Sequence, residues 1–571
     1  MSRGRRAAAA RTCRLAAASG AGFAGLVLLL YFTSSHLHAA TSDSATVVLE
    51  GQAIANGQIL LHGWDLTFAS YWTSTAAFDA VAVLVDGLRA GLMYVIPAFA
   101  GALAISGGVL LARDRRRGMP GLAGSLAVVV LLGCSTPAMA FFFVGHGFHV
   151  GTAAYALFAL VALRRGRFGW GWIAAVLLLC AGVLGDLLML AYGVVPLVVA
   201  GLAEMVGQRR WRAGLPEVTA GIGSVVLSGL ARLVFVALGT YDAAPGLRVA
   251  RLSQVVSNLG HVPAYAASLL GLTNSVMTSG GVPAEFRQLR GLDPATAIGA
   301  LVVLASFLYA LASLVTRLVR GRRQGEALEG EASLSRLDDL LVIAVICSPV
   351  PFVLLAGSRG AGIRYLTVTI IFAVVLSGRM VARACAKLGS GLPLGAFAAS
   401  GTLLAMSLVA SYGVGVSGPQ LSNPTTGLVS WLEAHDLRNG IGGYWVASIS
   451  TVESDGKVTV RPVLGSTDGG IERAVLASAS WYENRRFQFL VEGAPPGYVG
   501  VRESPKAWGV PEHTYVVGRY RVLVWSHELS VPSAPAAAGR HTSASQAVSL
   551  RRAGGRAEDP TMRRRRRMRV P

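Results

Sequence analysis

The chain has 571 residues, of which 53% are hydrophobic and 14% charged, with a formal net charge of +21. Soluble domains carry about a quarter charged residues, so this composition excludes an ordinary soluble protein. The basic residues cluster in short loops between apolar runs and at the C-terminus, which reads as membrane orientation and excludes a groove for nucleic acid.

Apolar runs recur along most of the length, predicting an all-α polytopic protein whose medium is the lipid bilayer. Residues 1–14 form a basic N-terminus with Arg3, Arg5, Arg6, Arg11 and Arg14, which places that end in the cytoplasm. The first span follows at 15–31. Ala39 and Ala40 come after it, but small residues do not fill both positions of a cleavage site, so it reads as an uncleaved anchor. Further spans are predicted at 91–111, 121–138, 149–163, 170–185, 187–206, 218–238, 296–316, 339–357, 366–378 and 393–415, eleven in all. Under this assignment the arginine-rich loops fall on one side, with the N-terminus inside and the C-terminal region outside the cell membrane. The membrane domain thus covers 15–416, with long external loops at 34–88 and 239–295. The first of these carries Trp64, Tyr71 and Trp72 and reads as short amphipathic helices at the interface.

From 417 to 530 the sequence is mixed polar with short alternating runs, predicting a small α/β or β-rich external domain. Ser454-Asp455-Gly456-Lys457 reads as a tight turn joining two strands, and Arg486 to Val491 and Tyr515 to Trp525 read as strands. The tail 531–571 is rich in Ala, Ser, Gly and Arg and reads as disordered. The five cysteines, Cys13, Cys134, Cys180, Cys347 and Cys385, show no metal-ligand spacing, and none lies in the external domain. No glycine-rich nucleotide loop appears, so a donor carried on lipid and reached from outside is expected, with no cofactor.

Candidate chemistry concentrates at the outer ends of the spans. Asp43 opens the first loop, and Glu50, seven residues on, shares its face if the segment is helical. A carboxylate at that place serves as a base toward an acceptor hydroxyl, or simply caps a helix beginning near Ser44. Asp186 interrupts the apolar stretch 174–200 and falls in the turn between spans five and six. There it is either a loop marker or, at membrane depth, a functional group. His146 and His149 lie in an outer turn. They read as interfacial residues or phosphate donors more readily than as metal ligands, and a divalent metal has no further support. Arg359, Arg364 and Tyr365 stand at an outer mouth between spans nine and ten, where cations either hold a lipid phosphate or meet anionic headgroups.

The arginine-flanked first span, the external loop opening with Asp43, about ten more spans and an external C-terminal domain together resemble the GT-C glycosyltransferases. That superfamily includes protein O-mannosyltransferases and aminoarabinose transferases. The stretch Ser42-Asp43-Ser44-Ala45 through Gly63-Trp64, with Gly442-Gly443-Tyr444-Trp445 and Trp481-Tyr482, is similar to uncharacterised membrane proteins of GC-rich bacteria with the same layout. The resemblance implies a polyprenyl-phosphate-linked sugar donor, an envelope glycan or protein acceptor, and Asp43 as the base; Asp186 and Arg364 are added by position alone. Many members pair two acidic residues in this loop, whereas Ser44 follows Asp43 here. The rival reading is a transporter or envelope-assembly protein, which predicts internal repeats and mid-bilayer charges that the sequence does not display.

Overall fold

The structure is a computed structural model that describes residues 3–113, 118–145, 147, 149–165, 168–243, 248–272, 294–320, 332–356, 361–388, 401, 406, 421–465, 471–483, 485–495, 500–501 and 508–531. In chain order its elements begin with α1 (Arg3–Leu37), α2 (Ser42–Ala55), β1 (Trp64–Leu66), α3 (Thr75–Asp86), α4 (Leu92–Arg113), α5 (Met119–Gly133) and α6 (Pro137–Ala140). There follow α7 (Val150–Arg165), α8 (Trp170–Gly185), α9 (Val195–Gln208), α10 (Trp211–Ala237), β2 (Asp242–Ala243) and α11 (Leu252–Leu269). The bundle closes with α12 (Pro294–Arg320), α13 (Ala332–Cys347), α14 (Val350–Leu354) and α15 (Thr367–Leu388). The C-terminal region holds α16 (Thr426–Ala434), β3 (Asn439–Gly443), α17 (Tyr444–Glu453), β4 (Thr459–Gly465), β5 (Ile471–Arg473), β6 (Ala477–Ser478), β7 (Phe487–Glu492), β8 (His513–Val517) and β9 (Tyr520–Leu529). This is an all-α polytopic membrane architecture with a small C-terminal β-rich region.

Among the described residues seven helices are long and apolar enough to cross a membrane, or eight if the bent pair Met119–Gly133 and Ala138–Gly145 counts as one span. Two further apolar helices, Val150–Arg164 and Trp170–Gly185, are shorter. The expected spans at 15–31 through 366–378 thus all fall on helices, though not all at full bilayer length, and the expected span at 393–415 lies outside the described residues apart from Gly401 and Met406. The segment that is almost wholly buried begins at Gly362 and runs through α15, against which α4, α5 and α13 pack. Small residues set that closeness. A Cβ on Gly124 of α5 would sit 2.6 Å from the Gly378 carbonyl of α15, and one on Gly378 would sit 2.6 Å from Val128. Apolar surface gives no driving force between helices in lipid, so this backbone approach and its dispersion contacts hold the pair.

The C-terminal region is a six-stranded sheet in the order β5-β4-β3-β7-β9-β8, with β3 parallel to both β4 and β7. The turn at Asp455 and Gly456, both with positive φ (53° and 80°), was expected to join two strands; it joins α17 to β4 instead. The run Tyr515 to Trp525 was expected as one strand and is a hairpin, with Gly518 at φ 60° in the turn between β8 and β9. A second, three-stranded sheet ties the chain together: β1 of the first long loop pairs with β2 of the second and with β6 of the C-terminal region. Beside it, Arg473 Nη2 donates to Asp65 Oδ2 at 2.6 Å, and Trp64 meets Trp481 edge-on at 4.8 Å. The same end of the bundle gathers α2, α3 and α17 on one another.

Candidate functional site

α2 begins at Ser42 with Thr41 as its N-cap, so Asp43 lies in the first turn and is not the cap. An acidic side chain there is favoured by the free N–H groups and dipole of the helix end. Its carboxylate Oδ1 accepts the phenolic proton of Tyr444, the first residue of α17, at 2.5 Å. Burial pushes the Asp43 carboxyl above the ordinary aspartate value, while the Tyr444 hydrogen bond and the nearby Arg364 charge pull it back. Arg364 reaches this point from a 3-10 helix, Ala361–Leu366, that leads into α15. Its guanidinium carbon lies 5.4 Å from the ring centre of Tyr365.

Tyr71 stands beside this pair. Burial, followed by the Asp186 charge, raises its phenol well above the ordinary tyrosine range, with Arg364 acting in the opposite direction. The Tyr71 backbone is pinned by its N–H donating to the Gly185 carbonyl at 2.7 Å, and by the bridge between Ala69 and Asp186. Its ring centroid is 5.7 Å from that of His149, which in turn lies 5.4 Å from Tyr365 and 6.0 Å from Tyr192.

His149 and Asp186 form one unit, each only 1% exposed. The His149 Nδ1–H donates to Asp186 Oδ2 at 2.7 Å, and the Thr152 hydroxyl donates to the same oxygen at 2.7 Å. Asp186 Oδ1 accepts from the Leu188 N–H at 3.0 Å. With Nδ1 so engaged, Nε2 is the ring atom turned to the rest of the site, and among the described residues it has no hydrogen-bond partner. Tyr71 and His149 both hold positive φ, 53° and 60°, a region costly for side chains of this size. Two π turns, Phe141–Gly145 just before His149 and Leu190–Val194 carrying Tyr192, flank the pair. Such departures from α geometry gather at functional sites, because they re-aim side chains at the expense of local stability.

The structure thus brings together Asp43, Asp186, His149, Arg364 and Tyr365, which the sequence singled out one by one. Asp186 follows α8 directly, is buried, and carries His149 and Thr152 on its carboxylate. His149 is paired with Asp186, and His146 and Arg359 lie outside the described residues. Glu50 shares the helix with Asp43 but faces a different neighbour. Seven residues advance about 10 Å along a helix, so Glu50 is buried against Asp79 of α3. Both carboxyls are pushed well above their ordinary values by burial, Glu50 also by Asp79. A Cβ on Gly51 would lie 2.4 Å from that of Asp79, which is why the two helices meet so closely there. Among the described residues no three His, Cys, Asp or Glu side chains come together as metal ligands.

Sequence reasoning missed Asp79, Tyr192 and the part played by Tyr444. Asp79 carried a signal, since it sits in the otherwise apolar run Ala76 to Val85, the same pattern that marked Asp186. Nothing local marked Tyr192, and Tyr444 stood out only as part of Gly442-Gly443-Tyr444-Trp445, with no role attached.

Fold and site together define a multi-pass membrane protein with a buried polar centre at the end of its bundle where the C-terminal region packs. The chain is similar in structure to ArnT from Cupriavidus metallidurans bound to undecaprenyl phosphate, at 13% identity and a TM-score of 0.49, covering 90% of this chain and 99% of that one. It is also similar to the apo state of that ArnT, at 14% identity and a TM-score of 0.38, covering 89% and 98%. No protein-family model matches the chain, and no curated protein matches it.

Proposed function

We propose that this chain is an integral membrane glycosyltransferase of the GT-C type, transferring a sugar from a polyprenyl-phosphate donor to an acceptor hydroxyl on the extracytoplasmic side. The observation that carries the reading is the convergence of the Asp43 carboxylate and the Arg364 guanidinium, from opposite ends of the membrane domain, at one partly buried centre. A carboxylate and a cation are the two groups that glycosyl transfer from a phosphoester requires. Asp43 takes the proton of the acceptor hydroxyl as its oxygen attacks the anomeric carbon. The bond from that carbon to the phosphate oxygen breaks, and the released lipid phosphate carries the extra negative charge. Arg364 offers that phosphate a planar, permanently charged donor set. His149 lies beside Tyr71 and Tyr365, its Nδ1 held by Asp186 and its Nε2 left for a substrate group. The apolar spans around the centre suit a donor whose bulk is an isoprenoid chain.

The test incubates purified protein in lipid nanodiscs with a panel of radiolabelled polyprenyl-phosphate sugars, alongside Asp43→Asn. The expected result is transfer from one donor class, reduced at least about a hundredfold in the variant. Asp43→Asn turning over at the wild-type rate would remove the mechanism, and no transfer from any donor would remove the activity.

A further inference from the structure

We propose that Tyr444, carried by the C-terminal region, is a positioning residue for Asp43, so that a helix from the far end of the chain completes the reaction centre. This rests on the reading of Asp43 as the base. The C-terminal region would then be part of the catalytic unit and not a cap or a separate binding module.

The local sequence explains how the tyrosine is delivered. β3 ends in Gly442-Gly443, and a Cβ on Gly443 would lie 3.1 Å from the backbone of Gly500 and Val501. Backbone therefore packs on backbone where the chain turns, and Tyr444 takes the first position of α17 with Gly443 as N-cap. α17 is buried at every position from Tyr444 to Val452, wedged between its own sheet and α2. Its serines and threonines mostly turn inward: Ser450 and Thr451 hydroxyls donate to the Val446 and Ala447 carbonyls. Ser448 reaches outward and accepts from Thr46 of α2 at 3.0 Å. Asp43 and Thr46, three apart on α2, thus meet Tyr444 and Ser448, four apart on α17, which is how facing helices mesh. A slip of either helix by one residue would break both bonds.

Two further ties hold this register. Asp455, in the turn after α17, accepts from the Ala90 N–H at 2.9 Å and pairs with Arg89 at 3.5 Å. The β1–β6 pairing with the Arg473–Asp65 ion pair secures the other side. Tyr444 is therefore held against Asp43 by an interface and not by one contact.

The chemistry follows from which oxygen is used. The Tyr444 O–H occupies Oδ1 and leaves Oδ2 to face an acceptor hydroxyl, so the carboxylate is oriented as well as kept charged. On α2 the other ionisable group is Glu50, and α3 carries Asp79, which faces Glu50, and Asp86 at its far end. Tyr71 and Arg364 approach from their own segments, α4 contributes Tyr94, and Glu453 stands at the far end of α17. Of these, Tyr444 is hydrogen-bonded to Asp43, while Arg364 acts through space.

The test is the pH dependence of transfer by the full-length protein in nanodiscs, measured for wild type, Tyr444→Phe, Asp43→Asn and Tyr482→Phe. Tyr482 is a buried tyrosine of the same region whose hydroxyl donates to the Pro462 carbonyl, away from Asp43. Tyr444→Phe should move the acid limb of kcat upward by about one pH unit and lower kcat below it about tenfold, with KM for the lipid donor unchanged. Tyr482→Phe should leave the limb in place. If Tyr444→Phe does not fold, 3-fluorotyrosine at position 444, a stronger donor, should move the limb downward. A profile for Tyr444→Phe superimposable on wild type, or a fluorotyrosine profile that does not move, overturns the inference even with Asp43→Asn inactive. An active Asp43→Asn protein overturns instead the reading of Asp43 as base.

Discussion

Asp186 offers the sharpest test of how the centre is built, because its two oxygens serve three donors. Oδ2 accepts from His149 Nδ1 and the Thr152 hydroxyl, and Oδ1 accepts from the Leu188 N–H. Asp186→Ala removes every acceptor at once from a place that is 1% exposed. Each buried donor left without a partner costs about 1–3 kcal/mol, so with three donors the expected loss of stability is about 3–9 kcal/mol. Asp186→Asn keeps the shape but has a single oxygen. Its NH2 must face either the Leu188 N–H or the His149–Thr152 pair, at a cost of about 1–3 kcal/mol. Facing the pair is the better solution, since Thr152 can turn to accept and the imidazole can move its proton to Nε2. The ring then presents the opposite character to the site. Transfer by Asp186→Asn should fall at least about a hundredfold while the protein remains folded. Intrinsic-fluorescence melting in detergent gives the stability, and initial rates in nanodiscs give the activity. Asp186→Asn with wild-type activity, or Asp186→Ala melting with wild type, would refute the claim that this carboxylate orients His149.

Two further outcomes follow from other buried charges. Burial raises the carboxyls of Glu50 and Asp79 well above their ordinary values. Stability that depends on their protonated forms is fully present below the ordinary carboxylate range and is lost as pH rises through the raised values. Glu50→Gln should therefore melt higher than wild type at pH 9 and close to it at pH 5; an identical decline with pH in both proteins would contradict this. Arg473→Leu strips Asp65 of a buried cation and should destabilise by about 3–5 kcal/mol. Replacing both residues by Leu should recover part of that loss, as read by a double-mutant cycle of melting temperatures, and a double variant worse than the sum of the singles would count against the pairing.

Much of the architecture is legible in the order of residues. Apolar runs of bilayer length fold as helices because lipid leaves the backbone no partner but itself, and that requirement acts locally. The positions of α4, α8, α9 and α12 follow from hydropathy alone, as does the change of character that begins the β-rich region. Asp43 and Asp186 stand out for the same reason: a carboxylate beside or within an apolar run is costly and so demands an explanation. The turns of the C-terminal region were less legible. Asp455-Gly456 signals a turn, but the helical or extended character of what precedes it is decided by packing, since α17 is buried on all sides and shows no amphipathic period.

The order of residues therefore settles the medium, the helices and the few charges that are out of place. Who meets whom is settled only by packing. Asp43 and Glu50 share a helix yet part company, because a helix face is a line and its two ends touch different elements. His149 meets Asp186, and Asp43 meets Tyr444, across separations that no local pattern encodes. Hydropathy places each segment in the membrane independently of the others, whereas these contacts exist only once helices have packed and their registers are fixed.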